Sequence, residues 1–276
     1  MTEFSHAFLL IFGQLAFGGV LALSVPGFHE IARGFFKSTA CVYLACGIIM
    51  LLGKLNLNFY AEHSSLTNGA WVEVVWWAVF SFACSLYTYT LWGDNFALRA
   101  RAYLFTLASG IAALTYSAQL YHGAPLFSFE TIFYPLSFLT GAAMLGAVSC
   151  GMSLGHWYLI ELDLSLEPFK RIFRFYAAAI VVHLITVTVG VLLVAVIGKA
   201  ETWESVTALW EAHEVLLLMR VCLGPIASLA VAWMIHRTLQ IPQTMAATGL
   251  FYVAILAGLV GEFLGRFILF RVGLPI

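Results

Sequence analysis

VGEFLGRFILF, residues 260–270, is apolar or glycine at every position except Glu262 and Arg266. A carboxylate and a guanidinium four residues apart lie on one face of a helix and can pair directly. The stretch therefore reads as a helix that carries two compensating charges through an apolar solvent. The composition identifies that solvent. Of 276 residues, 62% are hydrophobic and 10% charged, with a mean hydropathy of +0.95. A soluble domain carries about a quarter of its residues as charges, so this chain cannot cover a water-facing surface. It reads as an integral membrane protein.

A helix needs about 20 apolar residues to cross the hydrocarbon layer. That ruler gives eight segments, roughly 5–26, 36–53, 71–92, 98–120, 132–158, 172–198, 208–235 and 245–271, with Pro26, Gly53, Gly93, Gly123, Gly198 and Pro242 as stops. Ten-residue alternating runs, the mark of a membrane barrel, do not occur. The expected fold is all-α: one domain over 1–276 with eight transmembrane helices and no convincing internal repeat. The first apolar run lacks a basic flank and reads as a span rather than a cleavable leader.

Basic residues orient the bundle. Arg33, Lys37, Arg99, Arg101, Lys170, Arg171, Arg174 and Arg237 fall on one side, against Lys54 and Lys199 on the other. The first side is expected to be cytoplasmic, which puts both termini on the periplasmic side of a bacterial inner membrane. The longest polar connections, about 54–70, 120–131 and 199–207, then lie outside. The net charge of −1 provides no basic stripe for nucleic acid. Five cysteines (Cys41, Cys46, Cys84, Cys150, Cys222) sit in apolar runs without CxxC or CxxCH spacing, and no metal site is expected.

Ionisable groups at membrane depth are costly and need a partner or a task. Gln14, Glu73, His213, Arg220, Glu262 and Arg266 come from different helices, and depth reckoning places them all in the outer half. Two readings stay open: a structural lock in which Glu262 pairs Arg266 and Arg220, or a lock that also lines a ligand cavity. Among eight histidines, His183 alone falls near mid-membrane with nothing at its level, and reads as a hydrogen-bonded packing residue. A membrane haem b usually needs two histidines at matching depth; His183 and His156 are the candidates, and nothing further indicates haem. GHWYLIELDLS, 155–165, reads as an interfacial anchor followed by a mixed-charge loop. Trp71, Trp76 and Trp77 read as an outer aromatic belt that could equally wall a flat ring beside Glu73.

At these residues the chain resembles the membrane-anchor subunits of the dimethyl sulfoxide reductase type, related in broad architecture to the polysulfide and nitrite reductase anchors. The resemblance rests on FGQLAFGG in helix 1 (Phe12, Gly13, Gln14, Gly18, Gly19), Glu73 in helix 3, Arg220 in helix 7, and GEFLGR in helix 8 (Gly261, Glu262, Gly265, Arg266). The family often has a histidine at the outer end of helix 2, where this chain has GKLNLN, 53–58, with His63 in the loop beyond. The resemblance implies a haem-free quinone site (menaquinone or ubiquinone). Glu73 would be the acid near the ring, and the partners an iron–sulfur subunit and a molybdopterin catalytic subunit. A multihaem cytochrome c is the other candidate partner.

The expected function is a quinone-reactive subunit of a respiratory oxidoreductase. Glu73 or His213 would accept the quinol proton, which requires hydrogen-bond reach of it. Gln14, Arg220, Glu262 and Arg266 would form the quinone-binding set. The alternatives are a b-type cytochrome subunit, a transporter or a purely structural anchor. Against transport, no Gly/Pro-broken helix pair recurs at corresponding positions of two halves.

Overall fold

A computed structural model describes residues 2–61, 68–122, 128–161, 163–197, 214–241 and 243–273. These residues are helical throughout, with turns between helices and no strand among them. In chain order the helices are α1 (Thr2–Ala22), α2 (Arg33–Ala61), α3 (Asn68–Thr90), α4 (Phe96–Gln119), α5 (Phe129–Tyr158), α6 (Glu167–Ile197), α7 (Glu214–Gln240) and α8 (Thr244–Val272). All but α4 are long and apolar enough to cross a membrane. Arg99, Arg101 and a run of Ser, Thr, Ala and Gly leave α4 less apolar than the others. The protein is thus an all-helical, multi-pass membrane protein.

The helices form two four-membered rings. α1–α4 pack in the order 1-2-3-4-1, and α5–α8 in the order 5-6-7-8-5. The rings meet chiefly through α1 and α5, which with α8 are the most buried spans, whereas α6 and α7 are the least buried. Small residues allow the central contact: a Cβ at Gly18 would strike the Ala142 carbonyl, and one at Gly146 the Gly18 backbone. Without a hydrophobic force between helices in lipid, such backbone proximity is a principal source of packing energy.

Two prolines act inside helices. Pro135 in α5 has no N–H for the Thr131 carbonyl, which accepts instead from Gln119 Nε2 at 2.7 Å. Pro225 in α7 likewise leaves the Val221 carbonyl without its helical donor, and the helix widens into a π turn over Cys222–Ile226.

Several expectations are corrected. Gly53 does not stop α2, which runs to Ala61. A Cβ there would collide with Leu9, so this glycine serves the α1–α2 contact. Lys54 is accordingly a buried helical residue rather than part of an outer loop. Trp77 is fully buried and donates to Ser117 Oγ at 3.0 Å; it belongs to the core, not to an aromatic belt. α5 and α6 begin before their apolar runs, at Phe129 and Glu167, because polar and charged residues extend the helical ends past the hydrophobic stretch, and α4 begins at Phe96.

The basic residues gather at one end of the bundle. Arg33 pairs with Asp94 at 2.6 Å, Arg171 with Glu30, and Arg99 donates to the Gly93 carbonyl at 2.6 Å. At the other end Arg271 pairs with Glu3 at 3.2 Å, so α1 begins where α8 finishes.

Candidate functional site

The centre of the second ring holds four ionisable side chains from three helices. Glu262 of α8 is 1% exposed. Its Oε2 accepts from Arg266 Nη2 at 3.0 Å and its Oε1 from Arg220 Nη2 at 3.0 Å. His183 Nε2 of α6 stands 2.8 Å from the same Oε1. Glu262 is the natural acceptor there, so Nε2 carries the proton; His183 Nδ1 stands 3.0 Å from Thr140 Oγ1 of α5, which itself donates to the Leu136 carbonyl at 2.8 Å. Arg266 is held further by Ser137 Oγ (3.2 Å), the Ser137 carbonyl (3.0 Å) and Gln14 Oε1 of α1 (3.3 Å), and lies over the Phe138 ring at 4.4 Å. Gln14 Nε2 donates to the Phe138 carbonyl at 3.0 Å.

Glycines make room for these long side chains. On α5, a Cβ at Gly141 would collide with Glu262 Oε2 and lie 2.9 Å from both Arg266 Nη2 and Gln14 Nε2. Where α7 crosses α8, a Cβ at Gly261 would strike the Gly224 Cα, and one at Gly224 would strike the Arg220 guanidinium. The Gly224–Gly261 contact brings Arg220, one turn before Gly224, to Glu262, the residue after Gly261.

A cavity of about 250 Å³ adjoins the cluster. Its walls are Ile180, Leu184 and Val187 of α6 and Leu217, Val221 and Pro225 of α7, with Met144 of α5 contributing from the central helix. His183 and Arg220 supply its ionisable groups. The π turn of α7 forms part of the wall, which suits a membrane helix: irregular backbone at depth is tolerated where it lines a cavity. An apolar slot with a few convergent polar groups is the usual form of a small-molecule site.

The structure divides the set expected from sequence. Gln14, Arg220, Glu262 and Arg266 come together. Glu73 does not join them, so the single outer cavity drawn from depth alone separates into two clusters. Glu73, 3% exposed, accepts from Lys54 Nζ at 2.8 Å and from Ser117 Oγ at 2.7 Å; Lys54 also donates to the Tyr121 hydroxyl at 2.8 Å. This second cluster lies in the first ring. Phe138 stands between the two, with Arg266 over its ring and the Tyr121 ring 6.5 Å from it. His213 lies outside the described residues.

His183 is hydrogen-bonded, as the sequence reading expects, but sequence reasoning missed its partners. Its level is not vacant: Glu262 and Arg220 stand there. As a haem pair His183 and His156 do not fit. Both His183 ring nitrogens are engaged, and His156 lies 16 residues along α5 from Thr140, about 24 Å away. His156 is exposed and its Nδ1 is 3.4 Å from the Tyr252 hydroxyl. Among the described residues no group of three His, Cys, Asp or Glu side chains is arranged to hold a metal ion.

Comparisons with protein-family models, with curated proteins and with solved structures find no match to this chain.

Proposed function

We propose that this chain is a quinone-reactive membrane subunit of a respiratory oxidoreductase, and that the quinone ring enters the α6–α7 cavity with one carbonyl oxygen toward Arg220 and His183. The observation that carries this reading is the pairing of an apolar slot with a buried His–Glu–Arg network, inside helices that face lipid. A quinone needs both parts: apolar walls for its ring and tail, and polar groups for an oxygen that gains or loses a proton with each electron pair.

Oxidation of the quinol releases two electrons and two protons. His183 acts as proton acceptor at the ring oxygen, because it is the titratable side chain that borders both the cavity and Glu262. The proton is received on the lone pair of Nδ1, and the imidazolium so formed keeps its Nε2–H on the Glu262 carboxylate, which compensates the new charge. Arg220 stabilises the developing oxyanion; such preorganised charges are a large term in catalysis. Gln14, Ser137 and Phe138 hold Arg266, and through it Glu262. The electrons pass to a docked iron–sulfur subunit of a molybdopterin enzyme or to a multihaem cytochrome c. In this reading all eight helices cross a bacterial inner membrane, the basic end faces the cytoplasm and both termini face the periplasm. The resemblance to the dimethyl sulfoxide reductase anchors points the same way.

The test is quinone binding to the purified chain, followed by quenching of tryptophan fluorescence with a short-tailed menaquinone or ubiquinone analogue. A reduced-minus-oxidised absorption spectrum and identification of co-purifying subunits accompany it. Saturable binding lost in Arg220→Gln and His183→Gln is the expected result. Absence of saturable binding to a folded wild-type chain would refute the reading and leave the cluster as a lock between α6, α7 and α8.

A further inference from the structure

The groove between α6 and α7 has a second hollow, at the basic end of the bundle and separate from the cavity beside His183. It measures about 280 Å³ and is lined by Glu167, Lys170, Phe173 and Arg174 of α6 and by His236, Leu239 and Gln240 of α7. The quinone reading gives it no role. We propose that it binds the phosphate of one anionic glycerophospholipid, whose acyl chains run from there along the exposed α6–α7 surface.

The side chains are arranged as donors. Glu167 lies 3.9 Å from both Lys170 and Arg174, beyond hydrogen-bond range, so the ammonium and guanidinium keep their N–H groups for another acceptor. The neighbouring Arg171, by contrast, is committed to Glu30. Gln240 Nε2 lies 3.1 Å from His236 Nε2. An amide NH₂ can only donate, so His236 Nε2 accepts and the ring's other nitrogen carries the proton, leaving it as a donor. Phe173 stacks on the His236 ring at 5.9 Å and fixes its plane. Lysine, arginine, histidine and an amide around one hollow make a phosphate cradle, since guanidinium and ammonium groups recognise phosphate with strong charge-assisted bonds.

Position identifies the phosphate as a lipid's. The hollow lies in the rim formed by the first turns of α6 and the last of α7, the end where the other loop cations collect. Basic pockets between membrane helices at such a rim bind lipid head groups. The surface leading away from it is apolar and uncovered: Val181, Val182 and Ile185 on α6 are 47%, 51% and 56% exposed, and Trp233 beside the rim on α7 is 64% exposed. A free phosphate would use none of that surface.

The experiment is native mass spectrometry of the full chain, purified in mild detergent from membranes that contain phosphatidylglycerol and phosphatidylethanolamine. The wild type is expected to retain one phosphatidylglycerol-type lipid in preference to the zwitterionic one. Each rim charge removed should lower occupancy about five-fold, so Lys170→Gln with Arg174→Gln lowers the adduct about 25-fold. Lys37→Gln, whose cation lies over Trp92 at the same end, should leave it intact. Excess inorganic phosphate should not displace the lipid, and displacement would identify a bare anion site and overturn the lipid assignment. Equal adducts in wild type and the double variant would also overturn it. Arg174→Gln alone, a change at a side chain 67% exposed, gives the same readout if the double variant fails to accumulate. None of these outcomes depends on quinone binding.

Discussion

Glu262→Gln keeps the shape of the side chain at the centre of the buried cluster and removes its charge. Arg220 and Arg266 each bond the carboxylate at 3.0 Å, and His183 approaches at 2.8 Å. Removing one partner of a buried ion pair costs about 3–5 kcal/mol, mostly because the other charge is left desolvated. Two features bring this case toward the lower figure. The glutamine oxygen still accepts one hydrogen bond, and Arg266 retains Ser137, Gln14 and the face of Phe138. A loss of about 3 kcal/mol is therefore expected. At about 2–4 °C per kcal/mol for a chain of this size, Tm falls by about 6–12 °C. The assay is unfolding of the detergent-solubilised chain by titration with sodium dodecyl sulfate, read by circular dichroism, together with a thermal scan. Adding Arg220→Gln should return part of the loss, since one desolvated cation is then gone; coupling between contacting groups is about 0.5–3 kcal/mol. A Glu262→Gln chain within about 0.5 kcal/mol of wild type, the range of an unremarkable surface change, would refute this account of the cluster, as would strictly additive losses in the double variant.

Further outcomes follow from the same geometry. His183→Gln should lower quinol oxidation by the assembled complex about 10²-fold or more, the usual worth of a positioned proton acceptor, while subunit co-purification is unchanged. Glu73→Gln should destabilise the chain, because Lys54 loses its partner, yet leave turnover per folded molecule and KM for the quinol analogue as in wild type. Lys54→Met with Glu73→Leu should recover most of that stability, since apolar replacement of a buried ion pair is often neutral or better. Gly141→Ala should cost about 1–3 kcal/mol by overpacking the Glu262 cluster. Gly249→Ala on α8, where a Cβ meets nothing within 4 Å, should stabilise by up to about 1 kcal/mol; unfolding titrations measure both.

Much of the site was legible because helical spacing is local. Glu262 and Arg266 are four residues apart and pair as an i, i+4 couple must. Gln14 and Arg220 were drawn to them as the other polar groups of comparable depth. His183 was misplaced by the ruler itself. Counting apolar residues starts the sixth helix at 172 and the eighth at 245, which sets His183 and Glu262 six residues apart in depth, about 9 Å. The helices begin at Glu167 and Thr244, and the difference shrinks to two residues, about 3 Å. The five residues at issue, Glu167 to Arg171, include three charges, which an apolar count discards although a helix end keeps them. Lys54 was lost in the same way: ending α2 at Gly53 moved a buried cation into a loop. Two facts lay beyond any such count. Which helices pack against α3 is not written in its own sequence: it meets α2 and α4, so Glu73 stands with Lys54 and Ser117 rather than with Glu262. The widening of α7 at Pro225, which shapes the cavity wall, follows from a missing N–H whose consequence depends on what α8 allows.

The glycines and the break in α7 answer one physical demand. Three side chains from α6, α7 and α8 must converge on a single carboxylate where lipid supplies no hydrogen bond to complete an imperfect fit. Long side chains reach a common point only if the backbones come close and nothing fills the space between. Gly224 and Gly261 provide the approach of α7 to α8, and Gly141 empties the facing surface of α5. Each glycine weakens its helix by about 1 kcal/mol relative to alanine, so the three together cost about as much as the cluster stands to lose with its carboxylate. Most of that loss is the desolvation of stranded charges rather than the net worth of the pairs, so the cluster itself adds little to the stability of the fold. A sequence shaped for stability alone would fill these positions with alanine and leucine and dispense with the charges. Retaining both the glycines and the charges beside an open apolar cavity makes sense if the network serves whatever enters that cavity.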